Sequence, residues 1–259
     1  MSTEQVKRAV EVHSEQAGQF AARYGQADPY SSAFGYSRKR LDRLLDVYLP
    51  PTDARLRLLD VGCGTGHQLA RWSAAGYDVA GVDGSDAMLA QARENNPDVE
   101  LQLADVQQLP FPGGSFDRVT SIEVLRYLPD PTRSIEEMAR VLRPGGLCLA
   151  TAAPLLSLNG YALVNRVALA LPIGNLTRLK QFFTTSARLR RQFLEAGFSD
   201  VRVHGVYLGP LSWVERVAPR HLSPALQRWE PLDERLADRP LLRDLGNMLL
   251  VSAVRGPEA

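Results

Sequence analysis

The sequence predicts an α/β fold in which helices cover both faces of a mostly parallel, doubly wound sheet. Between residues 55 and 152, short apolar segments alternate with segments of helical periodicity, which is typical of βαβ units. A glycine-rich turn follows the first apolar segment, at the position where α/β sheets commonly present a ligand-binding loop. The pattern therefore predicts both the architecture and the edge of the sheet at which a ligand binds.

Composition is ordinary for a globular protein: the 259 residues are 45% hydrophobic and 23% charged, with a net charge of +1. A chain of this length buries enough apolar surface to fold without disulfides or metals. The near-neutral charge argues against a dedicated nucleic-acid binder, which usually carries a basic excess. Cys63 and Cys148 fall in predicted core segments and form neither a disulfide framework nor a zinc site. We therefore expect a cytoplasmic protein.

Targeting and membrane segments are not expected. Residues 1–20 mix charged and apolar side chains and lack the apolar core of a signal peptide. The most apolar stretch, residues 153–172, is interrupted by Asn159, Asn165 and Arg166, so it is too short and too polar to span a bilayer. The sequence therefore predicts no stable membrane insertion.

Residues 1–50 are expected to form an N-terminal helical cover. A helix is predicted over 3–24 and a second over 37–48, which ends before Pro50. An aromatic stretch with glycine, proline and serine, residues 25–36, lies between them. The first helix is predicted because apolar side chains recur at helical spacing, at Val6, Ala9, Val10, His13, Ala17 and Phe20.

The central part of the chain alternates strands and helices in strict order. The predicted strands are residues 56–61, 77–82, 99–104, 116–121 and 147–152. The predicted helices are residues 67–75, 85–95 and 131–142. Ser85 is a suitable N-cap for the second of these helices. Right-handed crossovers place the helices on both faces of the sheet.

After residue 153 the alternation is interrupted twice. Residues 153–183 are predicted to be an apolar, mostly helical cover segment, and residues 209–240 an irregular one. Between and after them the pattern resumes with a helix at 186–196 capped by Gly197, and with strands at 201–207 and 247–254. No internal repeat is visible, so we expect one domain over 1–259, with the two interrupting segments as lids.

The glycine loop Asp60-Val61-Gly62-Cys63-Gly64-Thr65-Gly66 fits some nucleotide-binding motifs better than others. A P-loop needs a lysine after its last glycine, whereas His67 and Gln68 stand here. The dinucleotide fingerprint G-x-G-x-x-G places its third glycine on His67, a bulky residue where helix and strand must pack closely. Both interpretations are weakened, and an NAD-dependent oxidoreductase stays as an alternative.

Leu58–Gly66 resembles motif I of the class I, Rossmann-like S-adenosylmethionine-dependent methyltransferases. The resemblance is specific over about residues 55–152 and looser over 184–254, and it points to the small-molecule and ubiquinone-type group. Four further segments match in order and spacing: Val79–Asp83, Leu103–Asp105, Phe116–Ser121 and Val141–Gly146.

The resemblance implies a seven-stranded sheet of order 3-2-1-4-5-7-6 whose last strand is antiparallel. It also implies that S-adenosylmethionine binds with its ribose hydroxyls on the Asp83 carboxylate and its adenine amino group on Asp105. The residues expected at the cofactor are Asp60, Gly62, Cys63, Gly64, Gly66, Asp83, Gly84, Met88, Ala104, Asp105, Val106 and Ile122.

In this family the segment after strand four faces the methyl group. Ubiquinone-pathway relatives carry Glu-x-x-Glu-His there, and in this chain Glu123 is retained while Arg126 and Tyr127 replace the last pair. Arginine cannot ligate a cation, so no metal is expected, and the family's common histidine base is absent from this segment. The catalytic candidates are Glu123, Tyr127 and His204, the last of these in the sixth strand.

The two cover segments suggest the class of acceptor. They follow the fifth and sixth strands, so they can form a lid over the carboxyl ends of the sheet. The first lines an apolar acceptor pocket or simply buries its own apolar face, and the sequence leaves both open. We expect a small organic acceptor, methylated at a hydroxyl oxygen by a monomer or homodimer.

Other hypotheses about the function stay open. Within the fold, they are transfer to nitrogen or carbon and transfer to a glycan or lipid-linked acceptor. Outside this activity, they are a catalytically silent cofactor-binding module and the NAD-dependent oxidoreductase.

Overall fold

The computed structural model describes residues 4–18, 28–170 and 179–257, and within them the predicted α/β architecture is confirmed. Seven strands form one sheet in the order β3-β2-β1-β4-β5-β8-β7, and the short β6 pairs with β5 beside this path. The strands are β1 (Arg57–Val61), β2 (Asp78–Asp83), β3 (Glu100–Leu103), β4 (Phe116–Ser121), β5 (Leu142–Pro154), β6 (Phe183–Thr184), β7 (Phe198–Gly205) and β8 (Leu249–Arg255).

The pairing of the strands agrees with the order that the family resemblance implies. β1 pairs in parallel with β2 and β4, β2 with β3, and β4 with β5. β8 runs antiparallel to both of its neighbours, β5 and β7. When β6 is left out of the numbering, the order is 3-2-1-4-5-7-6 with an antiparallel last strand. The unpredicted β6 joins the end of β5 at Ala153 and Pro154.

Helices cover both faces of this sheet. A 3₁₀ turn, Leu125–Tyr127, follows β4, and two more lie at Pro219–His221 and Arg243–Leu245. The helices are α1 (Glu4–Glu15), α2 (Ala33–Tyr48), α3 (His67–Ala74), α4 (Asp86–Asn95), α5 (Thr132–Val141), α6 (Tyr161–Ala170), α7 (Ser186–Glu195), α8 (Leu211–Val217) and α9 (Leu222–Leu236).

Three helical segments differ from the prediction. α2 begins at Ala33 rather than Ser37, because the Ser32 hydroxyl accepts from the backbone N–H of Gly35 and caps the helix. The segment 209–240, expected to be irregular, contains α8 and α9. Its prolines stand largely before or within first turns, where proline is tolerated. α1 ends at Glu15, and the rest of the helix predicted to residue 24 lies partly outside the described residues.

The core consists of two apolar layers separated by the sheet. Successive residues of β1 point to opposite faces, so that Leu59 packs in one layer and Leu58 in the other. α5 and α7 cover the first layer, and α2, α3, α4 and α9 cover the second. The helix residues that contribute most are Ile135, Met138, Leu189 and Phe193 on one face, and Leu41, Leu45, Leu69, Trp72, Leu89 and Leu226 on the other.

A buried ion pair joins α2 to α9. The Asp233 side chain is fully buried and accepts from Arg40 Nε at 2.9 Å, from the Tyr36 hydroxyl at 3.0 Å and from the Leu208 N–H at 2.7 Å. Each polar atom of this cluster depends on the carboxylate, since a buried charge without a partner is costly. The contact fixes α2, which carries Phe34 and other residues of the cavity described below.

No helix of the described residues is long and apolar enough to cross a membrane.

Substitution Asp233→Ala is expected to lower the free energy of unfolding by about 3–5 kcal/mol, because it leaves the Arg40 guanidinium buried without its main partner. Urea unfolding followed by circular dichroism measures the effect. Glu234→Ala is the matched control, since this more exposed partner of Arg40 should contribute no more than about 1 kcal/mol. Equal, small losses in the two variants would contradict a stabilising role for the buried pair.

Candidate functional site

A cavity of about 700 Å³ lies at the carboxyl ends of β1 to β4 and is bounded by α1 and α2. Its volume is within the range of about 300–1,000 Å³ that is usual for small-molecule sites. Thirteen of the predicted site residues line it: Asp60, Gly62, Cys63, Gly64, Asp83, Gly84, Met88, Ala104, Asp105, Val106, Ile122, Glu123 and Tyr127. The parallel strands bring these separate segments to one edge.

The glycine loop forms one wall of the cavity, and its glycines have different tasks. Gly62 has φ +79°, and a Cβ there would lie 2.3 Å from Val124 Cγ2, so the loop packs tightly on the segment after β4. Gly64 has φ +54°, and no atom of the described residues lies within 4 Å of an added Cβ. Gly64 therefore presents bare backbone to the open cavity.

Gly66 and His204 were predicted at the site, and the structure places both outside the cavity lining. Gly66 begins α3 with φ +80°, and a Cβ there would lie 2.5 Å from Asn96 Nδ2, so this glycine is required for helix packing. His204 lies on β7, where its Nδ1 is 2.8 Å from Asp238 and its Nε2 is 2.7 Å from the Tyr48 hydroxyl. His204 therefore links β7 to Tyr48 of α2 and to Asp238, and it does not line the cavity.

Asp83 fixes the glycine loop from the end of β2. Its Oδ2 accepts from the Gly64 N–H at 2.9 Å, and its Oδ1 accepts from the Ser85 N–H at 2.9 Å. Burial raises the pKa of this carboxyl, while backbone hydrogen bonds from Gly64, Ser85 and Gly84 act in the opposite direction. These bonds hold the carboxylate at a defined position on the cavity wall.

Asp60, at the end of β1, is a buried acid. The Thr120 hydroxyl donates to its Oδ1 at 2.9 Å. Burial raises the pKa of Asp60 to about 7, and the nearby charge of Asp83 adds to the rise. With its pKa near neutrality, the Asp60 carboxyl changes its protonation state when the charges around it change. A positive charge in the cavity would favour the ionised form.

Glu123 lines the cavity in a left-handed backbone conformation, with φ +65°, which costs free energy for a residue other than glycine. Its N–H donates to Thr151 Oγ1 at 2.7 Å. Its carboxylate forms an ion pair with the Arg126 guanidinium, which also donates to Gln181 Oε1 at 2.6 Å. Arg126 is therefore committed to Glu123 and to Gln181 of the first cover segment.

Sequence reasoning missed the part of the site that α1 supplies. Val6, Ala9, Val10 and His13 line the cavity, although they were recognised only as the apolar face of a helix. The edge of the His13 ring meets Tyr127, with ring centroids 4.7 Å apart and planes at 75°. Helical periodicity identifies an apolar face but does not show which part of the chain it packs against. The sequence therefore predicted the helix and not its place in the cavity wall.

Asp60 should make stability depend on pH. Its folded pKa of about 7 exceeds its unfolded value near 4, so the folded state binds more protons between these limits and loses stability as pH rises through them. In Asp60→Asn, residue 60 does not titrate. The difference in unfolding free energy between the native protein and this variant should therefore favour the native protein by about 2–4 kcal/mol more at pH 5 than at pH 8. Urea unfolding at both pH values measures this difference, and a difference independent of pH would contradict the raised pKa.

Gly62 and Gly64 should respond differently to alanine. Gly62→Ala combines the left-handed conformation with a clash against Val124, so we expect a loss of more than about 2 kcal/mol in unfolding free energy. Gly64→Ala carries only the conformational cost of about 1–2 kcal/mol. Thermal unfolding compares the two variants, and a larger loss for Gly64→Ala would show that the loop packs in another way.

Comparison with known proteins was made on sequence and on structure. A family model described as a methyltransferase domain matches residues 59–150. Demethylmenaquinone methyltransferase from Staphylococcus aureus is 36% identical over 188 residues, which cover 64% of this chain and 75% of that protein. Malonyl-[acyl-carrier protein] O-methyltransferase from Erwinia pyrifoliae is 38% identical over 130 residues, covering 50% of this chain and 49% of that protein. The match thus spans about half the length of the latter relative.

The fold is also shared with solved structures. Magnesium protoporphyrin IX methyltransferase from Synechocystis, with bound SAH, superposes with a TM-score of 0.65 at 15% identity, covering 98% of this chain and 100% of that one. An identity this low shows the fold alone, whereas the relative from Staphylococcus aureus shows the family. Together with the glycine loop and the order of the sheet, these similarities show that the chain belongs to the class I, Rossmann-like S-adenosylmethionine-dependent methyltransferases.

Proposed function

We propose that this protein transfers the methyl group of S-adenosylmethionine to a hydroxyl oxygen of a small organic acceptor. The observation that carries the proposal is the single cavity, which joins the glycine loop, Asp83 and the segment after β4. When bound, the cofactor supplies an electrophilic methyl group on a positively charged sulfur. The chain supplies orientation, which accounts for up to about 7–11 kcal/mol in well-aligned reactions.

The lining of the cavity suits this cofactor. The acids of the sheet edge, Asp60, Asp83, Asp105 and Glu123, line the cavity and complement the positive sulfur and amino group. The Asp83 carboxylate lines the cavity as an acceptor for the ribose hydroxyls, and Gly64 lets the ligand approach the backbone. We assign cofactor binding to the twelve residues predicted from the family resemblance, with Gly66 acting through the packing of α3.

The acceptor end of the cavity favours a neutral acceptor over a carboxylate. A carboxylate acceptor needs a cationic partner, and beside the segment after β4 the Arg126 guanidinium is already held by Glu123 and Gln181. The lysine and arginine of the cavity lining, Lys7 and Arg38, belong to α1 and α2 instead. The cavity wall at the acceptor end contains the apolar side chains of Val124 and Leu128 together with Tyr127. These features favour an apolar or aromatic hydroxyl compound over a carboxylate such as a malonyl group.

We assign the whole of residues 1–259 to one methyltransferase domain. Residues 1–50 form its N-terminal cover, and residues 153–183 and 209–240 form its lids. α6 of the first lid and α8 of the second are joined by a 2.8 Å hydrogen bond between Tyr161 and Ser212, which supports a common cover. We place the protein in the cytoplasm, as a monomer or homodimer that does not bind nucleic acid.

Methyl-labelled S-adenosylmethionine and a panel of acceptors test the proposal. Phenols and naphthols are expected to give a labelled ether, while carboxylic acids should give little or no labelled ester. Labelled amines or carbon-methylated products would instead support transfer to nitrogen or carbon. Binding of S-adenosylmethionine without any labelled product would support a catalytically silent cofactor-binding module. Binding of NAD in preference to S-adenosylmethionine would contradict methyl transfer by this protein.

Asp83→Ala should weaken binding of S-adenosylmethionine at least about tenfold, since hydrogen bonds to a charged group contribute about 1.5–3 kcal/mol each and tenfold corresponds to about 1.4 kcal/mol. Isothermal titration calorimetry measures the affinity. The exposed acid Asp86 at the start of α4 supplies the control, because Asp86→Ala removes a charge from the same turn without touching the cavity lining. Equal affinities in the two variants would remove Asp83 from the binding site.

A further inference from the structure

We propose that His13 of α1 is the general base of the reaction and accepts the proton of the acceptor hydroxyl on its Nε2. The inference rests on the proposed methyl transfer to oxygen and goes beyond it by assigning a base from the N-terminal helix. It is carried by the position of His13 in the cavity wall, by its tautomer and by the anchoring of α1.

The hydrogen bond of His13 decides which ring nitrogen carries the proton. Nδ1 lies 2.6 Å from the backbone oxygen of Ala9, one turn earlier in α1. A carbonyl oxygen only accepts, so Nδ1 must be the donor. In the neutral ring, Nε2 then has the lone pair, which is the state that a general base requires.

His13 is held in the wall on several sides. Its ring makes a T-shaped contact with Tyr127 in the segment after β4. The neighbouring Ser14 hydroxyl is 2.6 Å from the hydroxyl of Ser85, the N-cap of α4. Val10 packs on the backbone of Gly84, where an added Cβ would lie 3.0 Å from Val10 Cγ2. The ring is therefore carried by a docked helix that closes one side of the cavity.

Three other titratable residues of the cavity lining, Glu123, Asp83 and His67, are less suited to this role. The Glu123 carboxylate is held in an ion pair with the half-buried Arg126. Asp83 holds the backbone of the glycine loop. His67 stands at the start of α3, where burial and the positive charges of Arg38 and Arg71 lower its pKa.

The proton transfer balances as follows for a hydroxyl acceptor. As the acceptor oxygen forms its bond to the methyl carbon, the methyl–sulfur bond breaks with its electron pair staying on sulfur, and the hydroxyl proton passes to His13 Nε2. The positive charge thus moves from sulfur to the imidazole ring. The imidazolium then passes this proton to solvent, which returns His13 to its neutral form.

Three variants separate proton transfer from packing. His13→Phe keeps an aromatic ring against Tyr127 but accepts no proton, His13→Ala removes both, and His221→Ala changes an exposed histidine far from the cavity lining. With the best hydroxyl acceptor from the panel, kcat should fall about 10²–10⁴-fold in both His13 variants and stay unchanged in His221→Ala. Added imidazole should restore part of the activity of His13→Ala. Retention of kcat in His13→Phe would overturn the proposal.

A readout that needs no acceptor accompanies these kinetics. ¹⁵N-edited NMR of the wild-type protein, with and without S-adenosylhomocysteine, identifies the tautomer of each of the four histidines, assigned by single variants. We expect His13 with a protonated Nδ1 and an unprotonated Nε2 in the ligand-bound protein. A proton on Nε2 of the neutral ring would overturn His13 as the base, even when no acceptor gives product. If no acceptor gives a methylated product but His13 shows the expected tautomer, the result counts against the proposed methyl transfer to oxygen. It does not count against Nε2 as the unprotonated nitrogen of His13.

Discussion

The rest of the site depends on the hydrogen bond between the Gly64 N–H and the Asp83 carboxylate, at 2.9 Å. It ties the loop after β1 to the end of β2 and fixes an anionic group on the wall of the cavity. The second oxygen of Asp83 accepts from the Ser85 N–H, and Ser85 caps α4 and contacts α1 through Ser14. One carboxylate therefore connects the glycine loop, a helix start and the cover that closes the cavity.

The position of these acids has an energetic cost that the core must offset. Asp60 and Asp83 both have their pKa raised by burial, because burial disfavours the charged form of a carboxyl. A positive charge beside them would favour the ionised forms. The site therefore suits a positively charged ligand. The apolar layers on both faces of the sheet offset the free-energy cost of burying the acids.

Much of the fold and part of the site could be predicted because the signals are local. Strand periodicity, the glycine spacing and an acid at the end of β2 stand within short segments, and the parallel sheet brings them together without further information. The helices α8 and α9 were missed because their prolines hid the helical pattern. His204 was a catalytic candidate from its place in the sixth strand, whereas His13 was recognised only as part of a helical face. The relation of His13 to Tyr127 arises only when α1 docks against a distant segment. Likewise, the sequence showed Arg126 and Glu123 as neighbours but not Gln181, which fixes the guanidinium from the first cover segment.

The most direct test of the account is a crystal structure of the complete chain with S-adenosylhomocysteine. The account predicts the ribose hydroxyls on the Asp83 carboxylate, the adenine beside Asp105, and the sulfur turned towards the segment after β4, with His13 Nε2 facing the same space. The product bound outside this cavity, or bound with its ribose away from Asp83, would contradict it.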